Sequence, residues 1–108
     1  MKNTTSKTLR KDTEEWLSVV KFWASWCWPC KLVAPIFEEV DKETDWVKFF
    51  EFELNDENSI AITVKYWINS VPTVLFFKDW KVEWEVRWIF NKATIESEIN
   101  KLKKLWTN

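Results

Sequence analysis

The apolar residues of the chain fall into blocks, and their spacing changes from block to block. Leu17 to Ala24 is mostly apolar, broken by Lys21, and has the length of a buried strand. The run breaks at Ser25-Trp26. Apolar residues then recur at Leu32, Val33, Ile36, Phe37 and Val40, which is helical spacing. Pro29 to Lys42 therefore reads as a helix, with Pro29 tolerated in its first turn and Pro35 expected to kink it. From Val47 to Leu54 the period changes to two: Phe50, Phe52 and Leu54 alternate with Glu51 and Glu53, as in a strand.

The remaining blocks complete an alternating order. Thr8 to Glu15 reads as a short polar helix, and any strand before it would be brief. Asn55-Asp56-Glu57-Asn58 is a turn leading into a short helix from Ser59 to Tyr66. Pro72 precedes the apolar strand Thr73 to Phe77, which forms a hairpin with Lys81 to Arg87 through Lys78-Asp79-Trp80. Asn91 to Leu105 is an amphipathic helix with Ile95, Ile99 and Leu102 on one face. Helix, strand, helix, strand, helix, strand, strand, helix suits an α/β fold: a mixed central sheet with helices on both faces. There is no repeat, linker or low-complexity segment, so 1–108 reads as one domain.

Composition narrows the function. Lys+Arg 16 against Asp+Glu 17 gives a net charge of -1, with no global attraction for nucleic acid or an anionic membrane. No apolar run approaches a membrane span, and the polar start MKNTTSKTLRKDTEE lacks the apolar core of a signal peptide, so a cytoplasmic protein is expected. Histidine is absent, which removes Ser-His-Asp and Cys-His catalysis and any His-ligated zinc. Glycine is also absent, while tryptophan occurs 10 times.

The cysteines, Cys27 and Cys30, lie three apart where a strand hands over to a helix. That spacing puts the two sulfurs about one helical turn apart, within disulfide reach. At a helix N-terminus the free N–H groups favour thiolate, so Cys27 is the expected nucleophile and Cys30 the resolving thiol of a disulfide exchange. The competing reading is an inert thiol pair or half a zinc site, but two thiolates without histidine are too few for a structural zinc.

Phe22-Trp23-Ala24-Ser25-Trp26-Cys27-Trp28-Pro29-Cys30-Lys31, with Ala34-Pro35, resembles the FWAxWCGPCK…AP signature of the thioredoxin family. Ser70-Val71-Pro72-Thr73 is similar to the family's (I/V)PT, and Lys78-Asp79-Trp80 to its K(N/D)G turn. The similarity covers about residues 8–105. It implies a thioredoxin fold, a cis Pro72 facing the disulfide, and a protein disulfide reductase. Protein disulfide substrates and a thioredoxin reductase-like flavoprotein donor would be its partners. No cofactor beyond the redox-active Cys27-Cys30 disulfide is implied, and a monomer is expected. Substrate contacts are expected from Trp26, Trp28, Pro29, Val71, Pro72 and Trp88. For Trp26 the bland alternative is aromatic core, and Lys31 reads as a solvated helix residue. A thiol oxidase or isomerase of the same fold is the enzymatic alternative. A redox-inactive binding module with Trp28 and Trp88 blocking the groove is the non-enzymatic one.

Two departures from the family stand out. Trp16, Trp28, Trp46, Trp67, Trp80 and Trp88 fall where relatives usually or often carry glycine, whereas Trp23 and Trp26 match family tryptophans, and Trp84 and Trp106 are assigned to neither group. Both composition anomalies follow if a codon read as glycine in the cell has been translated as tryptophan; a deliberately altered chain is the alternative. The second departure is Lys21, where the family usually holds a buried Asp paired with a Lys on the next strand. Here the next strand offers Glu51 or Glu53, on one face, so a charge-swapped pair is expected, with either carboxylate a candidate proton acceptor for Cys30. The alternative is that Lys21 reaches solvent and takes no part.

Overall fold

A computed structural model describes residues 1–54, 59–87, 89 and 91–107. The expected turn at 55–58 and the expected groove residue Trp88 lie outside the described residues.

The apolar run from Leu17 forms the central strand. In chain order the elements are β1 (Lys2–Asn3), α1 (Leu9–Asp12), β2 (Leu17–Trp23), α2 (Trp28–Glu43), β3 (Lys48–Glu53), α3 (Ser59–Lys65), β4 (Thr73–Lys78), β5 (Lys81–Arg87) and α4 (Lys92–Thr107). The sheet order is β1-β3-β2-β4-β5. β2 runs parallel to β3 and antiparallel to β4, β1 joins β3 in parallel, and β5 closes the hairpin with β4, so the sheet is mixed as expected.

The period of two along β2 and β4 divides the core into two layers. Leu17 and Val19, with Val74 and Phe76, pack under Val33, Phe37 and Val40 of α2 and Ile95, Ile99 and Leu102 of α4. Val20 and Phe22, with Leu75 and Phe77, face Leu9 of α1 and the α3 side, where Ile62 and Tyr66 pack. Helices therefore cover both faces. α2 continues through Pro35, which supplies no N–H to the helix ladder. α2 and α4 are also tied at their surface, where Lys92 Nζ bridges Glu39 at 2.9 Å and Glu43 at 3.0 Å. Such exposed pairs contribute little to stability.

One expectation needs correction. The first helix spans four residues, not Thr8 to Glu15. Its end is held by Thr13, whose N–H and Oγ1 both donate to the Leu9 carbonyl, and the backbone enters the left-handed region at Trp16 before β2 begins. A two-residue strand, β1, precedes it and adds an edge beside β3; two residues are too few to show a period.

Candidate active site

β2 ends at Trp23 and the chain turns tightly: the Cys27 N–H donates to the Ala24 carbonyl at 3.0 Å. Cys27 is the N-cap of α2. Its sulfur accepts the Cys30 backbone N–H at 3.2 Å, the position a capping oxygen would take. Cys27 and Cys30 are joined as a disulfide with Cα atoms 5.3 Å apart, inside the normal span for such a bond. Both are buried, whereas the flanking Trp26 and Trp28 are 76% and 68% exposed. Trp26 is therefore surface rather than core. Pro29 sits in the first turn of α2, where its missing N–H costs no helix bond.

The second wall comes from the chain before β4. The Val71–Pro72 peptide bond is cis. It brings the Val71 carbonyl oxygen to 3.6 Å from Cys27 Sγ, across a separation of 44 residues. The approach is braced from both sides. Thr73 Oγ1 donates to the Ser70 carbonyl at 2.7 Å, and Arg87 on β5 forks over the loop. Its Nη1 donates to Asn69 Oδ1 at 2.8 Å and its Nη2 to the Trp67 carbonyl at 3.1 Å. Sequence reasoning did not single out Arg87. A lone basic residue at a strand end carries no local signal, and its role exists only once β5 lies beside the loop.

Register decides what Lys21 does. Lys21 pairs with Glu51 along β2–β3, while Glu53 stands opposite Trp23. Lys21 Nζ lies 3.8 Å from Glu51 Oε2 and 5.2 Å from the centroid of the Phe37 ring. The lysine is 2% exposed and the glutamate 24%, so Lys21 neither reaches solvent nor lacks a counter-ion. Burial lowers the ammonium's pKa below its ordinary 10.5, and the nearby Glu51 and Glu38 carboxylates partly oppose that shift. Glu51 and Glu53 both line a surface pocket with Asn3, Thr4, Thr5, Phe52 and Ser59, which gives the buried pair a polar route outward. Among the described residues no hydrogen bond joins Lys21 or Glu51 to either cysteine.

A mixed sheet, a Cys-x-x-Cys disulfide capping the helix that follows its central strand, and a cis proline opposite define one class of α/β protein. The chain belongs to the thioredoxin family, whose model matches residues 2–101. It is 40% identical to the chloroplastic M-type thioredoxin of Spinacia oleracea over 83 residues, 77% of this chain and 45% of that protein. It is 37% identical to the thioredoxin of Bacillus subtilis over 79 residues, 72% of this chain and 74% of that one. The chain thus spans about half the length of the plant relative. The crystal structure of Chlamydomonas reinhardtii thioredoxin f2 superposes with a TM-score of 0.85 at 22% identity, covering 94% of each chain, and shows the same fold.

The Lys21 environment carries a prediction. Because burial lowers the folded-state pKa, the unfolded chain binds more protons than the folded chain in the window below 10.5. Stability conferred by this residue therefore rises with pH through that window. Urea unfolding of the oxidised protein and of Lys21→Met at stepwise pH should show the wild type gaining on the variant as pH rises toward 10.5. A constant difference across the series would show that Lys21 is not held in this environment.

Proposed function

We propose that the chain is a protein disulfide reductase working by dithiol–disulfide exchange. The observation that carries this reading is the Cys27–Cys30 disulfide at the first turn of α2, with Cys27 capping the helix and the cis Val71–Pro72 bond against it. In the reduced protein, Cys27 thiolate attacks one sulfur of a substrate disulfide. A Cys27–substrate bond forms, the substrate bond breaks, and the leaving substrate thiolate takes up a proton. Cys30 loses its proton and attacks Cys27 Sγ, releasing the second substrate thiol and re-forming Cys27–Cys30. Two electrons pass to the substrate, and the protein is oxidised by the same amount. The N–H that Cys30 gives to Cys27 Sγ, and the helix end behind it, favour the sulfur anion in the first step.

The chemistry needs no cofactor beyond these two sulfurs. The dithiol is restored by a flavoprotein of the thioredoxin reductase type. Substrates are protein disulfides, which meet Trp26, Trp28, Pro29, Val71 and Pro72; Trp88 belongs to the same expected surface. The exposure of Trp26 and Trp28 beside buried cysteines supports this assignment. The protein works as a monomer in the cytoplasm. No described helix is long and apolar enough to cross a membrane, and two bacterial relatives from Bacillus and Listeria are thioredoxins.

We assign Glu51 the proton uptake from Cys30, with Lys21 holding the carboxylate in place. The Lys21–Glu51 contact and the pocket that Glu51 lines support this role. Glu53 lines the same pocket but stands opposite Trp23, so it takes the secondary place.

Two measurements check these assignments. In an insulin-reduction assay the wild type should turn over and Cys27→Ser should not, while Cys30→Ser should accumulate a covalent protein–insulin adduct. Turnover by Cys27→Ser, or no adduct with Cys30→Ser, contradicts the assigned roles. In single-turnover experiments Glu51→Gln should slow resolution of the mixed disulfide by roughly 100-fold or more, the usual scale for losing a positioned base. Lys21→Met, which keeps the carboxylate, should lose much less. Equal rates in Glu51→Gln and wild type would remove Glu51 from the mechanism.

A further inference from the structure

Four described residues hold backbone φ in the left-handed region: Trp16 at 72°, Trp67 at 57°, Asp79 at 48° and Trp80 at 65°. Aspartate is tolerated there; a bulky residue is an outlier. Three of the four are tryptophan, in a chain with 10 tryptophans and no glycine.

All three hold a backbone conformation that favours glycine, and two of them occupy named motifs that ask for it. Lys78 pairs with Lys81, so Asp79-Trp80 is a two-residue hairpin loop with positive φ at both central positions. That is a type I′ turn, whose preferred sequence is Asp-Gly or Asn-Gly. The turn is fixed in place: the Trp80 N–H donates to the Thr13 carbonyl at 2.6 Å and the Asp79 N–H to the Trp16 carbonyl at 2.9 Å.

Trp67 closes α3. The Ile68 N–H reaches the Thr63 carbonyl at 2.8 Å and the Trp67 N–H the Val64 carbonyl at 3.4 Å. These are the two bonds of a Schellman cap, with Trp67 at the left-handed position and Ile68 packing in the same core as Ile62. Glycine is the usual residue at that position. Trp16 makes the third case, at the entry to β2. Its N–H donates to Asp79 Oδ1 at 2.9 Å, so its conformation is locked to the hairpin turn.

Core packing of the indoles does not explain these conformations. Trp16, Trp67 and Trp80 are 43%, 79% and 45% exposed, so no core packing forces their backbone into the left-handed region. Trp84, by contrast, lies in β5 without positive φ and stacks on Phe76 at 5.1 Å, as a tryptophan selected for its ring would.

We infer that positions 16, 67 and 80 are glycine positions. The polypeptide made in the source cell carries glycine at all three, through a codon which that cell reads as glycine and which the standard genetic code reads as tryptophan or does not assign to glycine. The inference is independent of the redox chemistry.

Peptide mass mapping of the protein isolated from its source organism tests it directly. Peptides spanning 16, 67 and 80 should contain glycine; tryptophan at any of the three overturns the assignment. A second measurement uses the chain with tryptophan, made in a host that inserts it. Trp67→Gly should raise the melting temperature by roughly 4–8 °C, and Trp67→Asn should also raise it, because both enter the left-handed region readily. Trp67→Ala, which keeps a Cβ and gains no hydrogen bond, should gain less. The Arg87 bond to the position-67 carbonyl survives all three changes. Trp84→Gly should lower the melting temperature. A Trp67→Gly protein no more stable than its parent, or no better than Trp67→Ala, overturns the backbone basis of the inference.

Discussion

The structure depends on one junction, where the end of β2 becomes the start of α2 with a sulfur as the cap. A helix start leaves N–H groups without partners. Serine or aspartate usually supplies the acceptor; here Cys27 Sγ does, taking the Cys30 N–H at 3.2 Å. The same contact serves the helix and the chemistry. It ties the two cysteines into one turn, aligns the helix dipole on the outer sulfur, and leaves Cys30 covered by core. The Val71 carbonyl, 3.6 Å away, completes the enclosure and is carried there by a cis bond that Arg87 and Thr73 brace from outside. Sheet, loop and helix are thus positioned with respect to two atoms.

Lys21 is the strongest local conflict in this fold. An ammonium in the middle of the central strand is costly unless paired, and its pair is made across the parallel register to Glu51. The phenyl face of Phe37 covers the remaining side. The carboxylate keeps partial contact with water, so the charge cluster is buried at one end and wet at the other. A strand centre dedicated purely to stability would carry an apolar residue at this place.

Much of this was legible in the residues. An apolar run of strand length located β2, a period of two β3, and helical spacing α2 and α4, and the cysteines announced the junction between β2 and α2. What was not legible has physical reasons. Glu51 and Glu53 share one face of β3, so side-chain alternation alone could not choose between them; pairing register did. β1 is too short to have a pattern, and α1 stops early because Thr13 satisfies its last turn. Arg87 acts only through segments distant in sequence. The left-handed backbone at 16 and 67 had no local signal, because tryptophan does not mark a turn or a helix cap; only the family resemblance set those positions apart. The hairpin at Asp79-Trp80 was found from the flanking strand pattern and Asp79, despite Trp80.

Activation of Cys27 by the N-terminus of α2 is read out by the rate at which iodoacetamide alkylates the reduced protein as a function of pH. Cys27 should be modified first, with a half-maximal rate below about pH 8.5, the ordinary value for a free thiol. Preferential modification of Cys30, or a half-maximal rate at or above that pH, would contradict activation of Cys27 by the helix it caps.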